Sequence, residues 1–334
     1  MSNQQLDAMT IRERLGLGEE SLAWLQELEA LGAPPEPVRL PSPDDLPALL
    51  GRITAPDEQI DEAIAALPQL EADPALWWLL ERCHHLLIQK MGEFAPLRPW
   101  PSPPAALGAP GRYLYVWAFL ATLDAVRKYH QSRGIPDDVA WTTLADLGRN
   151  MGIHKRTYGV GGLSTANWIT LHFRGAIYEL GRLQFNRSRI NQDPATLESL
   201  GVPFRHGDSS LGMHIPESGP MTPEACDVSI ARAYEFFPRY FPEDGSRVVT
   251  CGSWLLDDQL AEYLPASSNI VRFQQRFKLF PNNRICDEDI IWFVFRRRGA
   301  SIDDLPQRTA LERAVVKHLR DGRHWLARQG WIAL

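Results

Sequence analysis

The sequence predicts an α+β chain, with an all-helical first half followed by a sheet that has helices against it. Three observations carry this. Apolar residues recur at helical spacing through the first half, with no convincing strand before about residue 175. Period-two alternation then appears at 180–189, 211–216 and 247–254. Amphipathic segments with helix-start signals separate those alternating stretches. With 334 residues, 44% of them hydrophobic, there is room for two ordinary domains. The change of pattern places them at 1–135 and 136–334.

In the first domain, "EESLAWLQELEALG" sets Leu22, Leu25, Leu28 and Leu31 at helical spacing and stops at Gly32. "APDEQIDEAIAALPQL" aligns Ile60, Ile64 and Leu67 and ends at Pro68, whose ring lacks an N–H. "DPALWWLLERCHHLLIQKMG" opens on an Asp-Pro cap and closes on glycine. His84 and His85 within it project about 100° apart, so they cannot converge on one metal and read as structural. Residues 95–111 hold six prolines, which suits a linker or a draped extended segment inside the domain. "RYLYVWAFLATLDAVRKYHQSRG" is a strong helix closed by Gly134. No repeat at a solenoid period is present.

In the second domain, "DVAWTTLADLGRNMG" and "STANWITLHFRGAIY" read as helices and "LGRLQFNRSR" as a strand. "LGMHIP" puts Leu211, Met213 and Ile215 on one face and His214 on the other. A helix follows from Thr222, then the strand "RVVTCGSW", the helix "SNIVRFQQRF" and a last long strand "DIIWFVFRR". Trp254 and Trp292 fall on these strands, where core packing is the expectation. "LPQRTALERAVVKHL" closes the chain as a helix.

The balance of 35 basic and 41 acidic side chains, net −6, argues against a nucleic-acid partner. The run Arg296–Arg298 reads as a strand end reaching solvent. The opening "MSNQQLDAMTIRERLG" lacks the apolar core of a signal peptide, and "YLYVWAFLATL" is too short to span a bilayer. Cys83, Cys226, Cys251 and Cys286 are scattered without a CxxC pair, which excludes a zinc knuckle and a disulfide framework. A cytoplasmic protein without a metal, with its oligomeric state open, is the expectation.

The bend "PESGPMTPE" between the strand at 211–216 and the following helix raises the question of a ligand. Thr222 can cap that helix, Pro223 suits its first position, and Cys226, Ile230, Ala233, Phe237 and Tyr240 share a face. A helix N-terminus behind a strand end gathers unpaired N–H groups into an anion site, and Gly219 would let a ligand approach. Glu217, Glu224 and Asp227 carry the wrong charge for a phosphate, so the bend alone reads as a plain turn.

The order of elements changes that reading. Strand, bend, helix, a strand ending in Cys251, Gly252 and Ser253, and a helix opening at "SSN" resemble the acyl-CoA N-acyltransferase (GNAT) superfamily. "HFRGAIYELGRLQF", "LGMHIPESGPM" and "SWLLDDQLAEYLPASSNIVRFQQRF" are similar to a bacterial two-domain group, with a helical N-terminal domain before a GNAT-like one. The motifs cover about residues 140–300. The resemblance implies a mixed, mostly antiparallel sheet and an acyl-CoA, or carrier-protein thioester, as donor to a small-molecule amine or peptide. It implies that "LGMHIP" is the fourth strand and "PESGPMTPE" the pyrophosphate loop, with Ser218, Gly219, Pro220, Met221 and Thr222 at the cofactor. The loop departs from the family pattern in having one glycine and no basic residue. The family's fourth-helix tyrosine has no counterpart, and Asn269 is the position that fits the cofactor there.

Acyl transfer to an amine needs orientation, an N–H on the carbonyl oxygen and a base. The resemblance gives the N–H to Met213 or Ile215 and the base to His214, a residue type that titrates near working pH, although an exposed polar position explains His214 equally well. Glu217 is a second candidate base. Cys251 would line the gap or act as nucleophile, packing being the ordinary account. Asp257 and Asp258 suit a helix start or a grip on an amine, and His172 and Arg174 a helix end or an acceptor cleft. An alternative is a GNAT-like fold that binds acyl-CoA as a sensor without catalysis.

Overall fold

Helical periodicity in the first half becomes nine α-helices among the residues described, 6–42 and 44–333 of the computed structural model. They are α1 (Ala8–Leu15), α2 (Leu22–Leu31), α3 (Leu46–Arg52), α4 (Asp57–Ala72), α5 (Pro74–Gln89), α6 (Gly108–Ser132), α7 (Asp137–Leu144), α8 (Asp146–Tyr158) and α9 (Ala166–Phe173). Caps set their ends: Asp7 accepts from Thr10 N at 2.8 Å, and Asp73 from Ala75 N at 2.8 Å. The signal-peptide reading rests partly on residues 1–5, which lie outside the described residues. α4 does not stop at Pro68 but continues to Ala72. The ring costs one ladder bond, and burial of Leu67 and Leu70 on either side outweighs it. No helix among the described residues is long and apolar enough to cross a membrane.

The proline-rich segment is draped, not free. Trp100 stacks on Phe119 of α6, with ring centroids 5.7 Å apart and planes 5° from parallel. Asn167 holds the Trp100 backbone, accepting from its N–H at 2.6 Å and donating to its carbonyl at 3.2 Å. α7, α8 and α9 feed Leu144, Leu147, Met151, Ile169 and Phe173 into the core built by α2, α5 and α6. That shared core is why the chain divides into two compact units between Tyr178 and Glu179, later than the boundary expected at residue 135.

The remaining elements are β1 (Ile177–Glu179), β2 (Gln184–Arg189), α10 (Pro194–Leu200), β3 (Ser209–His214), α11 (Pro223–Tyr240), β4 (Val248–Ser253), α12 (Asn269–Gln274), β5 (Lys278–Ile285), α13 (Asp287–Phe295), α14 (Ala310–Arg320) and β6 (Leu326–Ala333). The six strands form one sheet in the order β1-β2-β3-β4-β6-β5. β3 and β4 are parallel, while β2–β3, β4–β6 and β6–β5 are antiparallel. This is the mixed, mostly antiparallel sheet expected.

Three expectations fail in this unit. "DIIWFVF" is helix α13, not a strand, because Asp287, Glu288 and Asp289 crowd its first turn and complement the helix dipole. Trp292 is therefore helical, Trp254 lies in a 3-10 turn just past β4, and Arg296 is the left-handed cap of α13 with φ 55°. The chain closes on strand β6, not on α14, and β6 enters the sheet beside β4. β5 carries Pro281, which is tolerated at a break in register between Leu279 and Asn283.

Candidate active site

Alternation along β2 and β3 sorts their side chains onto two faces. Phe185 lies opposite Met213 and Arg187 opposite Leu211, and all four are buried. Arg187 reaches Asp244 and the ring of Phe241 just beyond α11, which marks this as the α11 side. Cys226, Ile230, Ala233 and Phe237 of α11 are buried as the helical spacing requires. The opposite face is polar: Gln184 pairs with His214, Asn186 with Gly212, and Gly212 with Thr250 of β4.

β3 and β4 are registered only at Leu211–Val249 and Gly212–Thr250. Beyond that, Met213 and His214 stay paired with β2, and Cys251, Gly252 and Ser253 with β6. Ladder pairing between the two parallel strands therefore stops short of their carboxyl ends, and the unpaired strand ends form a notch in the ladder. Such a carboxyl edge is where open sheets receive ligands.

His214 stands at this notch. Its Nε2 is 2.7 Å from Asn186 Oδ1, and Asn186 Nδ2 donates to the Arg187 carbonyl at 2.8 Å. The Asn186 amide thus holds the imidazole through Nε2. Gly212 makes this possible. A Cβ there would collide with Asn186 Oδ1 and would lie 3.5 Å from His214 Nε2.

The bend that follows is a backbone device. Thr222 caps α11, with its Oγ1 accepting from Ala225 N at 3.2 Å, and Pro223 opens the helix. Gly219 has φ 79°, and a Cβ would meet nothing within 4 Å, so conformation and not crowding calls for glycine. Ser218 N–H turns back to the Pro216 carbonyl at 2.9 Å. The N–H groups of Gly219 and Met221 have no acceptor among the described residues. Arg182, in the turn between β1 and β2, donates from Nη1 to the Pro216 carbonyl at 3.0 Å and from Nε to the Pro220 carbonyl at 3.2 Å.

Two of the three acidic side chains that argued against a phosphate are offset from remote parts of the chain. Glu217 pairs with Arg296, and Asp227 with Arg276 at 2.7 Å. Arg276 also donates to the Pro223 carbonyl at 3.0 Å. Glu217, an exposed candidate base, pairs with Arg296 and so ties the bend to the end of α13. Cys251 is buried, and burial pushes its thiol up to about 12. It stays protonated and serves as a wall of the notch, not a nucleophile. Asp257 is buried and accepts from Gln259 N at 3.1 Å and Leu326 N at 2.7 Å, while Asp258 pairs with Arg328. Both serve the turn they begin. Asn269 is exposed at the start of α12.

In the helical unit the candidates are structural. His84 Nδ1 lies 3.1 Å from Thr122 Oγ1, and His85 Nδ1 3.1 Å from the Gly32 carbonyl. Arg174 is buried and donates to the carbonyls of Glu93 and Ala95, at 3.0 and 3.1 Å, and so ties down the proline-rich segment. His172 Nε2 lies 3.2 Å from the buried Asp146. None of these is offered to an acceptor.

Residues 177–332 match the GNAT-like C-terminal domain, and residues 44–175 match the N-acyltransferase N-terminal domain. The chain belongs to the acyltransferases. It is 46% identical to an acyltransferase solved in complex with decanoyl-CoA and teicoplanin, with 98% of this chain and 100% of that one covered and a TM-score of 0.91. It is 45% identical, with the same coverage and TM-score, to an acyltransferase solved with CoA and 10C-teicoplanin, and to an acyltransferase mutant solved with octanoyl-CoA. No curated protein matches the chain. Both units of this acyltransferase match domains of that family, which supports the enzyme reading over the sensor.

The acyltransferase holds three contributors that the sequence did not mark. Asn186 had a signal, since alternation in "LQFNRSR" puts it on the face of Gln184. Arg182 and Arg296 had none. They meet the bend only because the β1–β2 turn and the end of α13 fold back to it.

Proposed function

We propose that this acyltransferase moves a medium-chain acyl group from acyl-CoA to an amine of a glycopeptide, by direct attack on the thioester. The end of β3–β4 pairing after Gly212 and Thr250 carries the reading, because the unpaired strand ends would receive a thioester between them. The donor is supported by relatives bound to octanoyl- and decanoyl-CoA, and the acceptor by a relative bound to teicoplanin. A carrier-protein thioester presenting the same pantetheine would fit the same notch.

The diphosphate would lie on the bend at 216–223, against the N–H groups of Gly219 and Met221, with Ser218, Pro220 and Thr222 shaping the loop. Asn269 would face the pantetheine. The N–H of Met213 or Ile215 would receive the carbonyl oxygen as it gains charge. The amine nitrogen attacks the carbonyl carbon and loses its proton to the His214 imidazole, directly or through water. The C–S bond breaks, and the CoA thiolate takes up the proton that the imidazole received and leaves as the thiol. A cytoplasmic reaction is supported by the four cysteines, none of them in a disulfide.

The test is incubation with octanoyl- and decanoyl-CoA and a teicoplanin-type glycopeptide, following thiol release and product mass together. One acyl group added per thiol released is the expected result. Thiol release without an acylated product, for every amine tried, would overturn the acceptor assignment.

A further inference from the structure

The bend at 216–223 carries no basic residue of its own, and an arginine from another turn reaches it. We infer that Arg182, outside the bend, is a positioning residue that sets the direction of the diphosphate-binding amides. The inference rests on the reading of residues 216–223 as the diphosphate loop.

A guanidinium is a rigid fork, able to hold two acceptors at a fixed separation. Arg182 uses it on two carbonyls of the same bend, Pro216 through Nη1 at 3.0 Å and Pro220 through Nε at 3.2 Å. In a trans peptide the carbonyl of one residue and the N–H of the next point in opposite directions. Drawing the Pro216 carbonyl toward Arg182 therefore turns the Glu217 N–H away from it. Drawing the Pro220 carbonyl does the same for Met221, whose N–H has no acceptor among the described residues. Gly219 sits between the two held peptides with φ 79°, the conformation that lets both carbonyls face one cation.

The fork is itself anchored. Ser229, buried in the middle of α11, donates from Oγ to the Leu180 carbonyl at 2.9 Å and accepts from Leu183 N at 3.0 Å. Those two residues flank the turn that carries Arg182, and Gly181 inside it has φ 103°, where a Cβ would come 3.0 Å from Ser229 Oγ. One helix thus fixes both ends of the device: its N-terminus receives the bend, and its middle holds the arm that shapes it.

Calorimetry with CoA on Arg182→Ala, Arg182→Lys and Gly219→Val tests this, with Tm as the fold control. Arg182→Ala is expected to raise the Kd for CoA about tenfold. Arg182→Lys is expected to be as weak as the alanine variant, since one ammonium cannot span two carbonyls. In turnover with acyl-CoA, the KM for acyl-CoA should rise while kcat and the KM for the acceptor hold. A lysine variant that binds CoA like the wild type would overturn the fork in favour of simple charge. Unchanged Kd in both arginine variants, with Gly219→Val weakened, would overturn the clamp and leave the loop reading standing. Unchanged Kd in all three would remove the loop reading itself. A fall of kcat and Tm together, with Kd for CoA unmoved, would make Arg182 structural only.

Discussion

The two units use the same polar residue types in opposite ways. In the helical unit, ionisable side chains are buried and tied inward: His84 to Thr122, His172 beside Asp146, Arg174 to two backbone carbonyls. In the sheet unit, Asn186 and His214 stand half-exposed on a polar face, at the place where two strands stop pairing. A histidine in a core, such as His84, is pushed down by burial and does structural work. A histidine at a strand end, half-exposed and held by an amide, is placed where it can move a proton.

Replacing His214 should break that contrast most sharply. His214→Ala is expected to lower kcat about a hundredfold or more while CoA still binds. An unchanged pH–rate profile with near-normal turnover would return His214 to the status of a surface residue. Gly212→Ala should act through the same imidazole, since its methyl group displaces Asn186. A loss of about tenfold in kcat is expected. Adding Asn186→Ala to Gly212→Ala should cost nothing beyond Asn186→Ala alone, because the clash is gone; additive losses would deny the coupling.

Acid should separate the units thermodynamically. Burial pushes His84, His130 and His154 down to about 4 from 6.5. The unfolded chain then binds more protons than the folded one, so stability is lost as pH falls from 6.5 toward 4. Burial alone would raise Asp146, but His172, Arg149 and Trp168 hold it at about 2 from 3.8. Its contribution is present above 3.8 and is lost as pH falls toward 2. All four groups lie in the helical unit, on α5, α6 and α8. Hydrogen exchange between pH 7 and 4 should show those amides opening before the strands of the sheet, and the reverse order would contradict the account. The smallest effect is expected at Cys251. Its alanine variant should keep kcat within about threefold of wild type, since a buried thiol pushed up to about 12 contributes packing.

Long periodic helices such as α2, α5 and α6 were legible because their spacing and caps are local. So were β3, the bend and α11, where strand alternation meets a Thr-Pro helix start. The short apolar run of α13 was not, since six apolar residues satisfy a buried strand as well as a helix, and only the acidic first turn decides. β5 and β6 were missed because Pro281 and Gly330 interrupt their alternation, and both strands owe their existence to pairing with each other.

By itself the sequence determined the order of elements from β3 to α12, the glycine at the bend and the histidine at the strand end, because these depend on neighbours along the chain. Tertiary structure decided the charge and direction of the bend. Glu217 looked like an obstacle to an anion until Arg296 came to it, and the bend offered no cation of its own until Arg182 held two of its carbonyls. Electrostatics and hydrogen bonding act through space, and the arginines that complete this site lie far from it in sequence or on a separate turn.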